Sequence, residues 1–215
     1  VRWYQVFPEI DTWYQNANRG WEKDPYKWTG LQEITYQRIE LTDWRGEWEV
    51  TALEDGESHL ARDPDRSDFH RTDQGSFWLE AELLDATGAV VARTPGLVDN
   101  DEQGLLPNVF RLTVRLNDSF LGILSGYQNV PGVFGSVTRQ SREYIGVDCA
   151  DVMVSAYREL HGLHIKRNVN VAHLVEELPV VKRITIDGGT PDKALSWEAD
   201  IRPGDLIAVR YNGSR

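Results

Sequence analysis

From about Gln32 to Val130 apolar and polar residues alternate in short runs, the period-2 mark of strands with one buried face. Residues 34–41, 48–53, 77–85 and 109–116 each carry the pattern, and 109–116 carries it most regularly. Ala86-Thr87-Gly88 reads as a tight turn between 77–85 and a hairpin partner at 89–93. Asn117-Asp118-Ser119 turns into a further apolar run at 120–124. Several short strands separated by turn signals predict a β-sandwich over residues 31–130. Residues 1–30 hold no sustained period. They are read as an extension of short helical or irregular segments whose tryptophans and tyrosines pack onto the next domain.

Pro131-Gly132 and Gly135-Ser136 mark a boundary, after which the period changes. Val152, Met153, Ala156, Tyr157 and Leu160 lie on one face of a helix over about 149–161, which ends near Gly162. A second helix is predicted at 170–178. Residues 180–186 and 206–210 read as strands, with Asp187-Gly188-Gly189 and Asp200 to Asp205 as turns. Helices followed by strands make residues 140–215 a small α+β domain, and the chain as a whole α+β with an N-terminal β-sandwich.

Charge narrows the partners. The 215 residues carry a formal net charge of −11, which argues against nucleic acid and against docking on anionic membrane. No apolar run approaches the roughly 20 residues of a membrane-spanning helix. The single cysteine excludes an intramolecular disulfide.

That cysteine, Cys149, sits where a nucleophile would sit. Gly146 permits a close approach, Asp148 is a good N-cap, and Cys149 falls in the first turn of the predicted helix. Free backbone N–H groups and the helix dipole favour a thiolate there. The neighbouring Asp148 carboxylate works against it. The commoner fate of a lone cysteine is a small core hydrophobe.

Three stretches carry a resemblance. Asp148-Cys149-Ala150-Asp151-Val152 is similar to the Asp-Cys-Ser-Gly-hydrophobic motif of NlpC-type, papain-like cell-wall cysteine peptidases. Tyr144 lies upstream, as a tyrosine that assists near the oxyanion does in that family. Ile201 to Ile207 resembles the Pro-Gly-Asp-Leu entry into the family's first central strand. The resemblance covers about residues 140–215. It implies a papain-like α+β domain, a cysteine hydrolase of amide bonds in peptidoglycan stem peptides, and an extracytoplasmic location. No cofactor is expected, and no zinc site, because His161, His164 and His173 form no His-x-x-x-His pair on one helix face. The implied site residues are Cys149 as nucleophile, Tyr144 and Asp148. The sequence departs from the motif at Ala150-Asp151, where the family has Ser-Gly. The family's histidine base has no counterpart after His173 and is expected beyond Arg215.

Three histidines lie closer. His161 is 12 residues from Cys149, about 18 Å along a helix, and His164 and His173 would need the chain to fold back. Asp63, Asp65, Asp68 and Asp73 form one acidic cluster, and Asp99, Asp101 and Glu102 another. Either could hold calcium, but solvated loop charge is the simpler account. Glu47, Glu49, Glu80 and Glu82 alternate on strands and are expected to face outward. A second functional class stays open: a non-catalytic glycan- or protein-binding protein with a degenerate papain-like part, the early tryptophans serving as its platform. The oligomeric state is not legible.

Overall fold

The computed structural model describes residues 1–9, 12–42, 44, 74–165 and 167–209. It is a mixed α/β chain in two compact units, residues 1–168 and 169–215. The division falls near Asn168, not near residues 131–140. One core runs across the expected boundary and joins Val6 and Trp78 to Tyr144 and Ala156.

The first unit is organised by one five-stranded antiparallel sheet. Its strands are β1 (Arg2–Pro8), β3 (Tyr36–Glu40), β4 (Gly75–Leu84), β5 (Val90–Arg93) and β8 (Phe110–Val114). The order is β3-β1-β4-β5, and β8 pairs with the first half of β4. β1 sits inside this sheet, so the start of the chain is strand and not irregular extension. Tyr4, Val6 and Pro8 alternate inward along it, as a period of 2 requires. The long β4 is buried nearly throughout its first eight residues, with Trp78 on one face and Phe77 and Leu79 on the other. Two two-residue ladders complete the unit: β2 (Tyr14–Gln15) parallel to β9 (Val133–Phe134), and β6 (Asn100–Asp101) antiparallel to β7 (Gly104–Leu105). Among the described residues there is no second large sheet opposing the first.

The 85–89 turn forms as expected. Asp85 Oδ1 accepts from Thr87 N, Thr87 Oγ1 and Ala89 N, and Gly88 takes φ +86°, which suits glycine. The 120–124 run is different: it is helix α1 (Phe120–Ser125), not a strand. Ser119 caps it by accepting from Gly122 N at 3.2 Å. A five-residue apolar run has no period that separates helix from strand, and the cap decides. α1 and the short α2 (Thr138–Arg142) both pack on α3 (Cys149–Leu160). Residues 48–53 and the Asp63 to Asp73 cluster lie outside the described residues.

Glu80 and Glu82 do not face outward. Both side chains are buried, Glu80 completely, and Arg38 Nη1 reaches Glu80 Oε1 at 2.5 Å and Glu82 Oε1 at 3.1 Å. Leu97 N donates to the second Glu80 oxygen, Tyr4 donates to Glu82, and the Arg38 guanidinium lies 4.0 Å over the Tyr4 ring. This network crosses β3, β1 and β4 and fixes their register. Glu47 and Glu49 lie outside the described residues.

The second unit contains α4 (Val171–Glu177) and the antiparallel ladder of β10 (Ile186–Asp187) with β11 (Thr190–Pro191). Residues 180–185 and 206–209 form no strand. None of its described residues is buried, and Val181 and Ile207 are each 75% exposed. A strand needs a partner to satisfy its backbone and to cover its face, and these apolar runs have neither here.

Candidate active site at Cys149

Cys149 is the first residue of α3 and is exposed. The turn before it is held tightly. Val147 bonds to Pro131 and Val133 through its N–H and C=O, and Gly132 bridges Val147. A Cβ on Gly146 would come within 2.5 Å of Val133 Cγ2, so this approach needs glycine. Asp148 then caps α3: its Oδ1 accepts from Ala150 N and Asp151 N, each at 2.9 Å.

Behind the cap lies a buried polar cluster. Ser136 Oγ accepts from Asp148 N at 3.0 Å and donates to Asp151 Oδ2 at 2.6 Å. Gln140, with no exposure, receives bonds at Oε1 from Asn16 Nδ2 and Val137 N, and its backbone oxygen takes Ile145 N and Gly146 N. Asn16, equally buried, also donates to Gly135 O. The loop that presents Cys149 is thus anchored to the N-terminal segment by three buried side chains. Gly135-Ser136 reads in sequence as a linker, so Ser136, Gln140 and Asn16 carry no sequence signal of this role. Asp151 is visible only as a departure from the Ser-Gly motif.

The electrostatics run against a ready-made thiolate. Partial desolvation, and then the Asp148 charge, push the Cys149 thiol above its ordinary value. The N–H groups of Cys149 and Ala150 at the helix start pull the other way without overcoming this, since Asp148 also draws on the N–H groups of Ala150 and Asp151. Asp148 itself is raised by burial.

Asp151 is the most perturbed carboxyl of the cluster. Burial, with help from the Asp148 charge, pushes it up to about 6, against the bond from Ser136 and the Arg158 charge. The folded chain therefore holds this proton more tightly than the unfolded chain. The stability it contributes is complete below the ordinary carboxyl value of 3.8 and is lost as pH rises through about 6. For this 5%-exposed side chain the loss by neutral pH is on the order of 2–3 kcal/mol. Asp151→Asn keeps an acceptor for Ser136 and removes the buried charge. Thermal melts should show the variant a few degrees more stable at pH 8 and level with the wild type near pH 4. A variant less stable at pH 8 would contradict this.

Tyr144 is not brought to Cys149. It is buried, takes φ +60°, stacks on Tyr127 at 4.2 Å, and donates to Glu159 Oε2 at 2.6 Å. Glu159 is ten residues along α3 from Cys149, about 15 Å of helix. A phenol committed there cannot also serve an oxyanion at the N-terminus of the helix. Burial and the Glu159 bond also hold it above its ordinary value.

His161 caps the far end of α3 and tilts against Tyr157. His164 is exposed beyond it. In the second unit, His173 Nδ1 accepts from Asn170 N in a capping box. The remaining acidic loop is occupied by cations and turns: Asp101 pairs with Arg139 at 2.6 Å, and Asp99 accepts from Gly96 N. Among the described residues no group of three or more His, Cys, Asp or Glu is placed to hold a metal ion. No described helix is long and apolar enough to cross a membrane.

No family model matches this chain, and no curated protein or solved structure is significantly similar to it.

Proposed function

We propose that the protein is a cysteine hydrolase of amide bonds, acting on peptidoglycan stem peptides outside the cytoplasm, with Cys149 as nucleophile and a papain-like arrangement in its C-terminal third. The observation that carries this reading is an exposed thiol on the first residue of a capped helix, presented by a loop with a buried polar anchor. The Cys149 N–H, at the start of α3, acts on its own sulfur at rest and lies where it can turn to an oxyanion beside that sulfur. Asp148 serves as cap and positions the helix start; it is not the base. Since the thiol is raised, a base must take its proton before attack on the carbonyl. The intact protein should release amines from stem peptides, and that release should depend on Cys149. Release that persists without the thiol removes the reading.

A second reading is favoured by the raised thiol and by exposed early tryptophans: a non-catalytic binding protein. Alkylation separates the two. Asp148→Asn keeps the cap and removes a neighbouring charge, so it should speed iodoacetamide labelling of Cys149 at pH 7, by a fewfold to tenfold. In the wild type, labelling should climb about tenfold per pH unit from pH 7, as thiolate rises below a raised thiol value. A flat, fast rate at pH 7 would mean an imidazole already activates the sulfur, which favours the hydrolase. The climbing profile with no amine release favours the binder.

A further inference from the structure

The aromatic residues of the N-terminal segment divide into two sets. Tyr4 and Tyr14 are buried in the fold. Trp13, Trp21, Tyr26 and Trp28 are 51–76% exposed. The expected packing of these last four into the core does not occur. Their placement has a pattern. The Arg19 guanidinium lies 4.4 Å over the Trp13 ring and 5.6 Å from that of Trp21. Tyr26 lies against Gly20, so closely that a Cβ there would come within 2.5 Å of its hydroxyl oxygen. Trp13, Trp21 and Tyr26 are therefore gathered about Arg19-Gly20.

The backbone beneath them is held in strained form. Asp24 and Tyr26 both take left-handed φ, at +56° and +61°. Asn18 Nδ2 fixes this turn by donating to Lys23 O at 2.6 Å and Asp24 O at 3.1 Å, and Tyr26 N donates to Asn18 O. Large apolar rings are thus kept in water by a constrained loop. Arg19 Nε, although buried, has no hydrogen-bond partner, and no described carboxylate pairs with the guanidinium.

We infer that Trp13, Arg19, Trp21 and Tyr26 form a carbohydrate-binding ledge for a chain of neutral pyranose rings. The composition selects this ligand class. Residues 12–30 contain no Val, Leu, Ile, Met or Phe, so the patch has aromatic planes but none of the aliphatic side chains that fill the core of a protein interface. Pyranose rings present an axial C–H face to indole and hydroxyls at their edge. Around the ledge, the exposed Lys23, Asp24 and Lys27 supply polar partners for those hydroxyls. The net charge of −11 disfavours an anionic polysaccharide. The ledge is also continuous with the Cys149 loop. β2 leads from Trp13 to Asn16, whose amide donates to Gly135 O, next to the Ser136 that bonds Asp148 N. The inference rests on the exposed segment, not on Cys149. It gives the second reading above its surface and ligand class, and the first reading a place for the glycan of its substrate.

Titration calorimetry of the intact protein with chitohexaose and with cellohexaose tests it. At least one should bind. Trp21→Ala and Trp13→Ala should each weaken that binding about tenfold, with far-ultraviolet circular dichroism unchanged, since both side chains are exposed. Cys149→Ala should leave it intact. No binding of either sugar overturns the ledge, as does binding indifferent to both tryptophan variants. Concentration-dependent self-association lost in Trp21→Ala, without sugar binding, would assign the patch to a second copy of the chain and equally overturn it. Amine release is scored separately, so the ledge and the hydrolase can each fail alone.

Discussion

Cys149→Ala should lower amine release from peptidoglycan stem peptides by at least about a thousand-fold, because the covalent route is lost with its nucleophile. The size of the effect follows from the position. Cys149 is exposed at the start of α3 and takes no part in the core, so alanine removes the sulfur and leaves the scaffold. The cap survives, because Asp148 bonds the backbone of Ala150 and Asp151 and does not touch the 149 side chain. Alanine is also a better helix former than cysteine. The melting temperature of the variant should therefore match or slightly exceed that of the wild type while activity disappears. Cys149→Ser is the sharper partner: it keeps a nucleophilic atom of similar size, yet its hydroxyl is far harder to ionise, so it too should be inactive. A fall in activity with a parallel fall in melting temperature would point to a structural cysteine instead.

The largest effect on stability should come from Arg38→Met. Glu80 has no solvent exposure, and among the described residues Arg38 is its charged partner. Methionine keeps an unbranched side chain but removes the charge and the guanidinium that lies over the Tyr4 ring. Two carboxylates, Glu80 and Glu82, are then left together in a buried place. Removing one member of such a pair costs about 3–5 kcal/mol in well-buried cases. The Arg38 side chain is 31% exposed, so water can relieve part of the loss and about 3 kcal/mol is the expected figure. That is a large share of a typical domain's stability. Urea denaturation should show a lower midpoint with an unchanged slope. Gly96 makes a second demand at this place: a Cβ there would come within 2.0 Å of Glu80 Oε2, so the carboxylate sits in a space shaped for it. A loss below about 1 kcal/mol would contradict the role given to Arg38 in holding Glu80 in the core.

The sheet was legible where strands alternate and turns carry their own chemistry. Tyr36–Glu40, Val90–Arg93 and Phe110–Val114 lie within the expected stretches, and Gly75–Leu84 overlaps 77–85 but begins two residues earlier. β1 was hidden because Arg2, Trp3, Tyr4, Gln5, Val6 and Phe7 put large rings on both faces, so its period of 2 is blurred. α1 was hidden by brevity. The inward turn of Glu80 and Glu82 was hidden because alternation names two faces without saying which is buried, and the deciding residue, Arg38, is 42 positions away. The unity of residues 1–168 was hidden for the same reason: Pro131-Gly132 and Gly135-Ser136 look like a linker, but Asn16, more than a hundred positions away, bonds Gly135 and Gln140 there.

At the site, the helix start was the legible part. Gly146, Asp148 and Cys149 occupy the positions that glycine, cap and first-turn residue imply. The ionisation was not, since it turns on the partial burial of the thiol, which spacing does not show, and then on the charge that the Asp148 cap adds beside the sulfur. Tyr144 shows the limit of proximity in sequence. It lies five positions before Cys149, yet a left-handed turn carries its ring to Tyr127 and Glu159.

The most direct measurement is mass spectrometry of the intact protein after rapid acid quench with a stem-peptide substrate. Nucleophilic attack by Cys149 predicts an early adduct equal to the acyl part of the substrate, mapped to Cys149 and absent from Cys149→Ala. Amine release with no adduct on that sulfur, or an adduct that maps elsewhere, would contradict it.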